Sequence, residues 1–164
     1  KLANRHPRVD ILKPSCGVGG HCISIDPWFI ASQLPSQTPL IQTSRNVNNK
    51  KTEWSIRKIV NTIKEYEKEN HYSPKVGCLG LTFKPNIDDV RESPAIKIAK
   101  LLYKNHSNIL ISDPYIDFLK ELDLTNYKNL INDSDIVVIL VAHKEFKNCD
   151  FKGKKIIDLC GLFE

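Results

Sequence analysis

The sequence lacks the features of a membrane or secreted protein. Its 164 residues contain no apolar run approaching the roughly twenty residues that cross a bilayer. No basic segment precedes an apolar core and a small-residue cleavage site, so no secretory signal is visible. Hydrophobic residues make up 41% and charged residues 26%, which is typical of globular proteins. These absences predict a soluble, cytoplasmic protein without a membrane partner.

The sequence also lacks the cysteine pattern of a disulfide-stabilised domain. Its five cysteines are odd in number and irregularly spaced, which favours reduced thiols. Cys16, His21 and Cys22 stand in one loop, but a structural zinc site needs four ligands. No CxxC or HxxxH pair supplies the others. We therefore predict no metal site.

Positive charge is in modest excess and dispersed. The 24 Lys and Arg residues against 19 Asp and Glu give a net charge of +5, without a basic arm. Nucleic-acid binding would call for a basic stripe with interleaved aromatic residues or a known motif, and neither is present. We expect no nucleic-acid partner, whereas a small anionic ligand is compatible with this charge.

The first 73 residues divide into an irregular segment and a helix. Residues 1–43 hold five prolines and little periodicity, so we expect loops with a short helix after Asp26 and Pro27. From residue 44 to 70, apolar residues recur every three or four positions, which predicts one long amphipathic helix. Such a helix could cover the core of its own domain or form the spine of a dimer. The pattern leaves both open.

The rest of the chain alternates apolar runs with helical patterns. We predict strands at 75–81, 108–114, 135–142 and 154–160, with helices at 93–103 and 115–122. Continuous apolar strands separated by helices indicate a parallel sheet covered on both faces. The predicted fold is therefore α/β: a Rossmann-like parallel sheet domain over residues 74–164, preceded by a long helix and an irregular N-terminal segment within residues 1–73.

Ligands of such sheets bind beyond the carboxyl ends of the strands. Three candidates occupy those positions: the loop GLTFKPNIDDVRES (80–93), Asp113, and the segment AHKEF (142–146). No G-x-G-x-x-G motif follows any predicted strand, so the dinucleotide fingerprint is absent from this chain.

The loop CGVGGHCISIDPWFI (16–30) is the second candidate region. Cys22 could be a small buried side chain or a reactive thiol, since free cysteines occur in both roles. The neighbouring glycines suit either a close approach to a phosphate or a tight turn. The residues by themselves leave these alternatives open.

Three motifs resemble the UDP-glucose/UDP-N-acetylmannosamine 6-dehydrogenase family: GVGGHCISIDPWFI (17–30), GLTFKPNIDDVRESPA (80–95) and IIDLCGLF (156–163). The resemblance extends to LANRHPRVDIL (2–12) and LIQTSRNVNN (40–49). It implies that the chain is the C-terminal part of a longer NAD-dependent enzyme whose NAD-binding domain lies upstream. We expect this part alone to be inactive.

The family oxidises the C6 alcohol of a UDP-sugar to a carboxylate with two NAD⁺. By resemblance, Cys22 is the nucleophile that forms a thiohemiacetal and then a thioester, and Asp26 helps to position the hydrolytic water. Arg91 matches an arginine that reaches the NAD pyrophosphate. Five residues match substrate-binding positions of the family: His6, Arg8, Gly19, Phe83 and Lys84.

The resemblance also bears on substrate and assembly. The run DPWFI, and Ile25 where UDP-glucose enzymes tend to carry lysine, favour UDP-N-acetylmannosamine and a role in surface polysaccharide synthesis. The alternatives are a UDP-GlcNAc or UDP-glucose 6-dehydrogenase, or a non-catalytic nucleotide-sugar-binding or dimerisation fragment. A homodimer through the long helix is implied. Ser15 and Cys16 replace the family's usual Gly-Pro. We therefore expect a looser entry to the loop at residues 16–30 that carries Cys22, called the cysteine loop below.

Overall fold

The computed structural model describes residues 2–11 and 13–163. Four helices and four strands carry the fold: α1 (Asp26–Gln33), α2 (Pro39–Asn70), β1 (Val76–Leu79), α3 (Pro94–Asn105), β2 (Ile109–Ser112), α4 (Tyr127–Asp133), β3 (Ile136–Ile139) and β4 (Lys155–Asp158). Two short 3-10 turns, Ala3–Arg5 and Lys144–Asn148, complete the described elements.

The four strands form one parallel sheet in the order β2-β1-β3-β4. Every residue of β1 and β3 is buried, because α2 and α3 cover one face of the sheet and α4 covers the other. The predicted α/β fold with a Rossmann-like parallel sheet is confirmed. Since β2 and β3 lie on opposite sides of β1, a crevice opens at the carboxyl ends of β1 and β3, where such sheets bind ligands.

The long helix α2 begins at Pro39, earlier than the predicted start at residue 44. Proline suits the first turn of a helix, where its missing N–H has no intrahelical partner. Ile59 and Ile63 of α2 are buried in the core that also contains Ile98 and Leu102 of α3. The helix therefore covers the core of the α/β domain, while Trp54 on another face stays 43% exposed.

The predicted helix at 115–122 is wrong. The segment consists of turns and one isolated bridge, between Leu119 and Leu122, and Phe118 is 78% exposed. The Asp113 carboxylate accepts a hydrogen bond from the Tyr115 N–H at 2.8 Å, which pins a turn directly after β2. Such a local side-chain to backbone bond competes with helix formation.

Two helix starts show the expected capping chemistry. Ser93 accepts a hydrogen bond from the Ile96 N–H with Pro94 in the first turn of α3, as the sequence predicts. Helix α4, which the prediction missed, is capped by Asn126, whose side chain accepts from the Lys128 N–H at 2.9 Å. Among the described helices, none has the length and apolar character that crossing a bilayer requires.

Candidate substrate-binding and catalytic site

A cavity of about 460 Å³ lies at the carboxyl ends of β1 and β3. Phe83 and Lys84 line it from the loop after β1, and residues 140–142 line it from the end of β3. Residues 13–19 close it from the opposite side. The structure thus brings Gly19, Phe83 and Lys84 to one cavity, at the point where the strand order predicts a ligand.

Helix α2 holds the cysteine loop over this cavity. The Asn48 side chain accepts from the Val18 N–H at 2.8 Å and donates to the Val18 carbonyl at 3.3 Å. The Thr52 hydroxyl donates to the Cys16 carbonyl at 3.0 Å. These bonds satisfy backbone groups that a loop would otherwise leave to water, so α2 fixes the path of the loop.

Cys16 anchors the loop in the core. It is 2% exposed, and its thiol lies 3.7 Å from the Leu140 carbonyl. Burial raises the pKa of the Cys16 thiol to about 12, which keeps it protonated and unreactive. The Ser15 hydroxyl donates to the Gly17 carbonyl at 2.7 Å. Ser15 and Cys16 therefore both hold this stretch in place, while the expected looser entry relative to the family stays a prediction.

Two glycines let the loop press against the segment that precedes α3. A Cβ on Gly19 would collide with the Glu92 carbonyl oxygen and lie 2.9 Å from Cδ of Pro94. Gly20 has a φ of +90°, and its N–H donates to the Arg91 carbonyl at 3.1 Å. The close approach and the backbone conformation each require glycine.

Cys22 is an exposed thiol, one turn before helix α1. Its carbonyl accepts hydrogen bonds from the N–H groups of Ile25 at 3.0 Å and Asp26 at 2.8 Å. Cys22 and Asp26 line one open cleft of about 710 Å³. Helical spacing of four residues places them on the same side of this turn.

The cleft and the cavity adjoin. Val18 and Ile23 line both spaces, the cleft on one side and the cavity on the other. A ligand held at Lys84 could therefore extend past the cysteine loop toward Cys22.

A buried contact between Asp113 and His143 holds the loop that carries Lys84, and the sequence does not indicate this contact. Asp113, after β2, and His143, after β3, have fully buried side chains, and Nε2 of His143 lies 3.1 Å from Oδ2 of Asp113. The same carboxylate oxygen accepts from the N–H groups of Leu81 at 2.6 Å and Thr82 at 3.3 Å. Both residues stand in segments singled out as strand ends, but nothing local signals their contact.

The hydrogen bonds determine which ring nitrogen of His143 carries the proton and favour the ionised form of Asp113. Nδ1 of His143 accepts from the Asn86 N–H at 3.0 Å, so the ring proton lies on Nε2 and is donated to Asp113. Burial alone would raise the pKa of Asp113, but the bond from His143 and the backbone donors outweigh it, and the pKa is lowered. An ionised carboxylate and a neutral imidazole thus bracket residues 81–86.

Arg91 is partly engaged by its neighbour. Its guanidinium donates to the Asp89 carboxylate at 2.6 Å, and the side chain is 61% exposed. Hydrogen bonds from Arg91 lower the pKa of Asp89 to about 2, and the same pairing raises the pKa of Arg91, with a smaller contribution from Cys22. Arg91 therefore keeps its charge beside the cysteine loop and leaves part of its fork free.

His6 and Arg8 lie apart from these residues. Both are exposed in the N-terminal segment, where the Arg8 N–H donates to Nδ1 of His6 at 3.3 Å. Neither lines the cavity or the cleft. Within residues 2–11 and 13–163, no group of three His, Cys, Asp or Glu side chains is placed to hold a metal ion.

Comparison with known proteins gives the family. Residues 77–164 match the UDP binding domain of the UDP-glucose/GDP-mannose dehydrogenase family, and residues 1–50 match its central domain. The chain belongs to this family. The resemblance noted from the motifs is confirmed, while the predicted division between residues 73 and 74 falls between the two matches and stays a prediction.

Relatives in the UDP-glucose/GDP-mannose dehydrogenase family align along nearly all of the chain. A UDP-N-acetyl-D-mannosamine dehydrogenase from Campylobacter jejuni is 46% identical, covering 98% of this chain and 40% of the relative. An NDP-N-acetyl-D-galactosaminuronic acid dehydrogenase from Ralstonia solanacearum is 38% identical, over 99% and 39%. The structure of a UDP-D-ManNAc dehydrogenase from Pyrococcus horikoshii superimposes with a TM-score of 0.78 at 29% identity, over 99% and 40%. The chain thus spans about two fifths of the length of these relatives.

Proposed function

We propose that this chain is the UDP-sugar-binding and thiol-bearing part of an NAD-dependent UDP-N-acetyl-D-mannosamine 6-dehydrogenase. The observation that carries this proposal is the adjacency of two spaces. A cavity at the carboxyl ends of β1 and β3 contains Lys84, and the neighbouring cleft exposes Cys22. One ligand with an anionic end and a reactive sugar end would occupy both.

The cavity would hold the nucleotide. Its volume of about 460 Å³ falls within the range of small-molecule sites. Lys84 supplies a flexible point charge for a phosphate, and Phe83 and Gly19 supply apolar surface and close backbone approach. The Asp113–His143 pair keeps the Lys84 loop in place without adding a second positive charge. The matches to the family's UDP binding domain support this assignment.

The fit to NAD⁺ is partial. The loop after β1 lacks the glycine pattern of a dinucleotide site, and Arg91 is the residue we assign to the cofactor. Its exposed guanidinium can donate parallel hydrogen bonds to a diphosphate. When bound, NAD⁺ would supply the oxidant for two steps, alcohol to aldehyde and Cys22 adduct to thioester, each removing two electrons. The remaining three fifths of such an enzyme would supply the rest of that site.

Cys22 would hold the substrate between the two oxidations. Its thiolate adds to the C6 aldehyde, forming a C–S bond and a thiohemiacetal; after oxidation the adduct is a thioester. Water then attacks the thioester carbonyl, the C–S bond breaks and the thiolate leaves, so that the carboxylate and two protons are released. Asp26 lines the same cleft and is assigned to orient this water. Cys16 is buried and takes no part.

We assign the reaction to the cytoplasm and its product to surface polysaccharide synthesis. A reduced Cys22 thiol is compatible with that compartment. His6 and Arg8, exposed and away from both spaces, are assigned to the site of a neighbouring subunit.

We assign helix α2 to the interface of a homodimer. Leu40, Val47 and Trp54 are spaced by seven residues along it, and they are 78%, 60% and 43% exposed. Residues at this spacing fall on one face of a helix, as in paired helices. Lys51 lies over the Trp54 ring, with its Nζ 3.7 Å from the centroid, so its ammonium would have to shift when a partner covers the tryptophan.

A calorimetric titration tests the binding half of the proposal. We expect UDP and UDP-N-acetylmannosamine to bind this chain, and Lys84→Ala to weaken both about tenfold, since a charge-assisted hydrogen bond is lost. Lys152→Ala, which removes an exposed lysine from a distant turn, should leave binding unchanged. Parallel titration with UDP-GlcNAc and UDP-glucose reports the sugar preference.

Two results would contradict the assignment. Absence of binding by UDP would show that the cavity does not form a nucleotide site in this chain. Equal affinities in the wild type and the Lys84→Ala variant would remove Lys84 from the site.

A further inference from the structure

A row of polar residues on α2 faces the cysteine loop. Arg45, Asn48 and Thr52 are spaced by three and four residues, so they lie on one face of the helix. Asn48 and Thr52 each hydrogen-bond to the backbone of the loop. Arg45 stands one turn further along, and it lines the cleft together with Cys22 and Asp26.

Arg45 differs from its neighbours because it is buried without a partner. The residue is only 9% exposed, and its Nε is inaccessible and has no hydrogen-bond acceptor. Among the described residues, no carboxylate lies within 4.0 Å of its guanidinium, Asp26 included. The other two guanidinium nitrogens also lack a protein partner among the described residues but remain accessible from the cleft, so an anion there would give the charge the acceptor that it lacks. A ligand group that completes this site would be held strongly.

The surroundings strengthen such an interaction. Six apolar or proline residues share the cleft with Arg45: Val18, Ile23, Pro27, Ile30, Leu40 and Ile41. Beside apolar side chains the effective dielectric constant is lower than in bulk water, so a charge pair is stronger there than in free solution. The guanidinium fork matches the two oxygens of a carboxylate better than it matches a neutral hydroxyl.

We infer that Arg45 forms an anion subsite in the Cys22 cleft, which binds the oxygens of the sugar's C6 as they become a carboxylate. The choice of C6 rests on the proposed function, since C6 is the sugar atom whose oxygens gain charge next to Cys22. The anion subsite itself rests on the guanidinium, which has no protein partner and an inaccessible Nε, and on the cleft that it shares with the thiol.

Alkylation of Cys22 tests the subsite without any nucleotide or cofactor. Iodoacetate carries a carboxylate and iodoacetamide does not, while both transfer a similar group to the same sulfur. If Arg45 binds anions beside Cys22, the ratio of the iodoacetate rate to the iodoacetamide rate should fall about tenfold in Arg45→Gln, because a charge-assisted bond is lost. Rates are read for Cys22 alone by peptide mass spectrometry, with Cys22→Ser defining the background.

Matched controls separate this effect from general charge and from misfolding. Arg57→Gln removes an exposed arginine of the same helix and should leave the ratio unchanged. Arg45→Lys should keep part of the preference, since it retains the charge. In the wild type, free glucuronate should slow the reaction of Cys22 with iodoacetate, whereas glucose should not, which tests the subsite even if Arg45→Gln fails to fold.

Each of these measurements has an outcome that would contradict the anion subsite at Arg45. An unchanged ratio in a folded Arg45→Gln variant, an equal fall in Arg57→Gln, or equal effects of glucuronate and glucose would overturn the inference. A failure of UDP to bind the chain would instead contradict the proposed function and leave these alkylation results standing.

Discussion

Asp113→Asn should destabilise the fold and loosen the Lys84 loop. The carboxylate accepts four N–H groups, three at one oxygen and one at the other. An amide has one acceptor oxygen, so its NH₂ must face either the Tyr115 N–H or the cluster that contains His143. Nε2 of His143 could accept a hydrogen bond only if the ring proton moved to Nδ1. Nδ1 cannot take that proton without losing the hydrogen bond that it accepts from the Asn86 N–H. In either orientation of the amide, its NH₂ group therefore faces another hydrogen-bond donor, and both are left without an acceptor.

The magnitude follows from the bonds lost. A hydrogen bond to a charged group contributes about 1.5–3 kcal/mol, and a buried donor left unpaired costs about 1–3 kcal/mol. Because the two terms overlap, we expect the free energy of unfolding to fall by about 2–4 kcal/mol. For a domain of this size that lowers Tm by about 5–15 °C. UDP affinity should fall as well, since Leu81 and Thr82 lead directly into Lys84.

The effect should depend on pH in a defined direction. Because the pKa of Asp113 is lowered from 3.8 by folding, its contribution is present above pH 3.8 and is lost as the pH falls through the lower, folded value. Urea unfolding at pH 7, 5, 4 and 3 should show a wild-type advantage over Asp113→Asn that is full at pH 7 and shrinks at pH 3. Asp117→Asn, an exposed position in the same segment, should follow the wild type.

A difference below about 0.5 kcal/mol at pH 7 would refute this account, because it would lie within the range of an ordinary surface substitution. A full difference that persists at pH 3 would also refute it, because the ionised carboxylate would then not be the source of the stability.

Two further predictions concern the loop and the helix. Gly19→Ala should lower stability by about 1–3 kcal/mol and weaken UDP-sugar binding, because its Cβ collides with the Glu92 carbonyl. Gly153→Ala, where a Cβ meets nothing within 4 Å, should leave binding intact; equal loss of binding in both variants would contradict the role of the loop. Trp54→Glu should shift the chain from dimer to monomer in sedimentation, and a wild type that is monomeric at high concentration would refute the α2 interface.

The strands were predictable because burial on both faces leaves a continuous apolar run. IVVI (136–139) has no polar residue to break the pattern, and every residue of it is buried. The predicted ends were too long, since apolar residues such as Leu140 and Val141 continue past the last paired residue into the crevice. Apolar residues that line a cavity at the end of a strand therefore have the same sequence pattern as the strand itself.

Short helices were less predictable, for a physical reason. The segment 115–122 has apolar residues at helical spacing, yet a single bond from the Tyr115 N–H to Asp113 fixes a turn before a helix can begin. Helix α4 has only seven residues, of which Leu130 and Ile131 are buried, so it offers too little pattern to detect. In both segments, a local side-chain to backbone bond that the periodic pattern does not record favours the observed conformation.

Residues of the site that depend on distant contacts were beyond reach of the sequence. Asp113 and His143 are 30 residues apart and meet only because β2 and β3 both end at the same edge of the sheet. Arg45 reads as an ordinary polar residue near the predicted start of a helix. Its burial arises because the cysteine loop folds back onto α2, which no local pattern records.

In the proposed site, two different parts of the fold would hold the two ends of the ligand. The nucleotide end of a ligand would rest on the sheet through Lys84, and the reacting carbon would rest on a loop held by α2. The distance between them is set by the packing of α2 on the α/β core, at Ile59 and Ile63. Reactions that need a nucleophile within about 3–3.5 Å of a carbon are sensitive to shifts of about 1 Å. If the proposed function holds, α2 would therefore help to position the ligand through Ile59 and Ile63, although these core residues line neither the cavity nor the cleft.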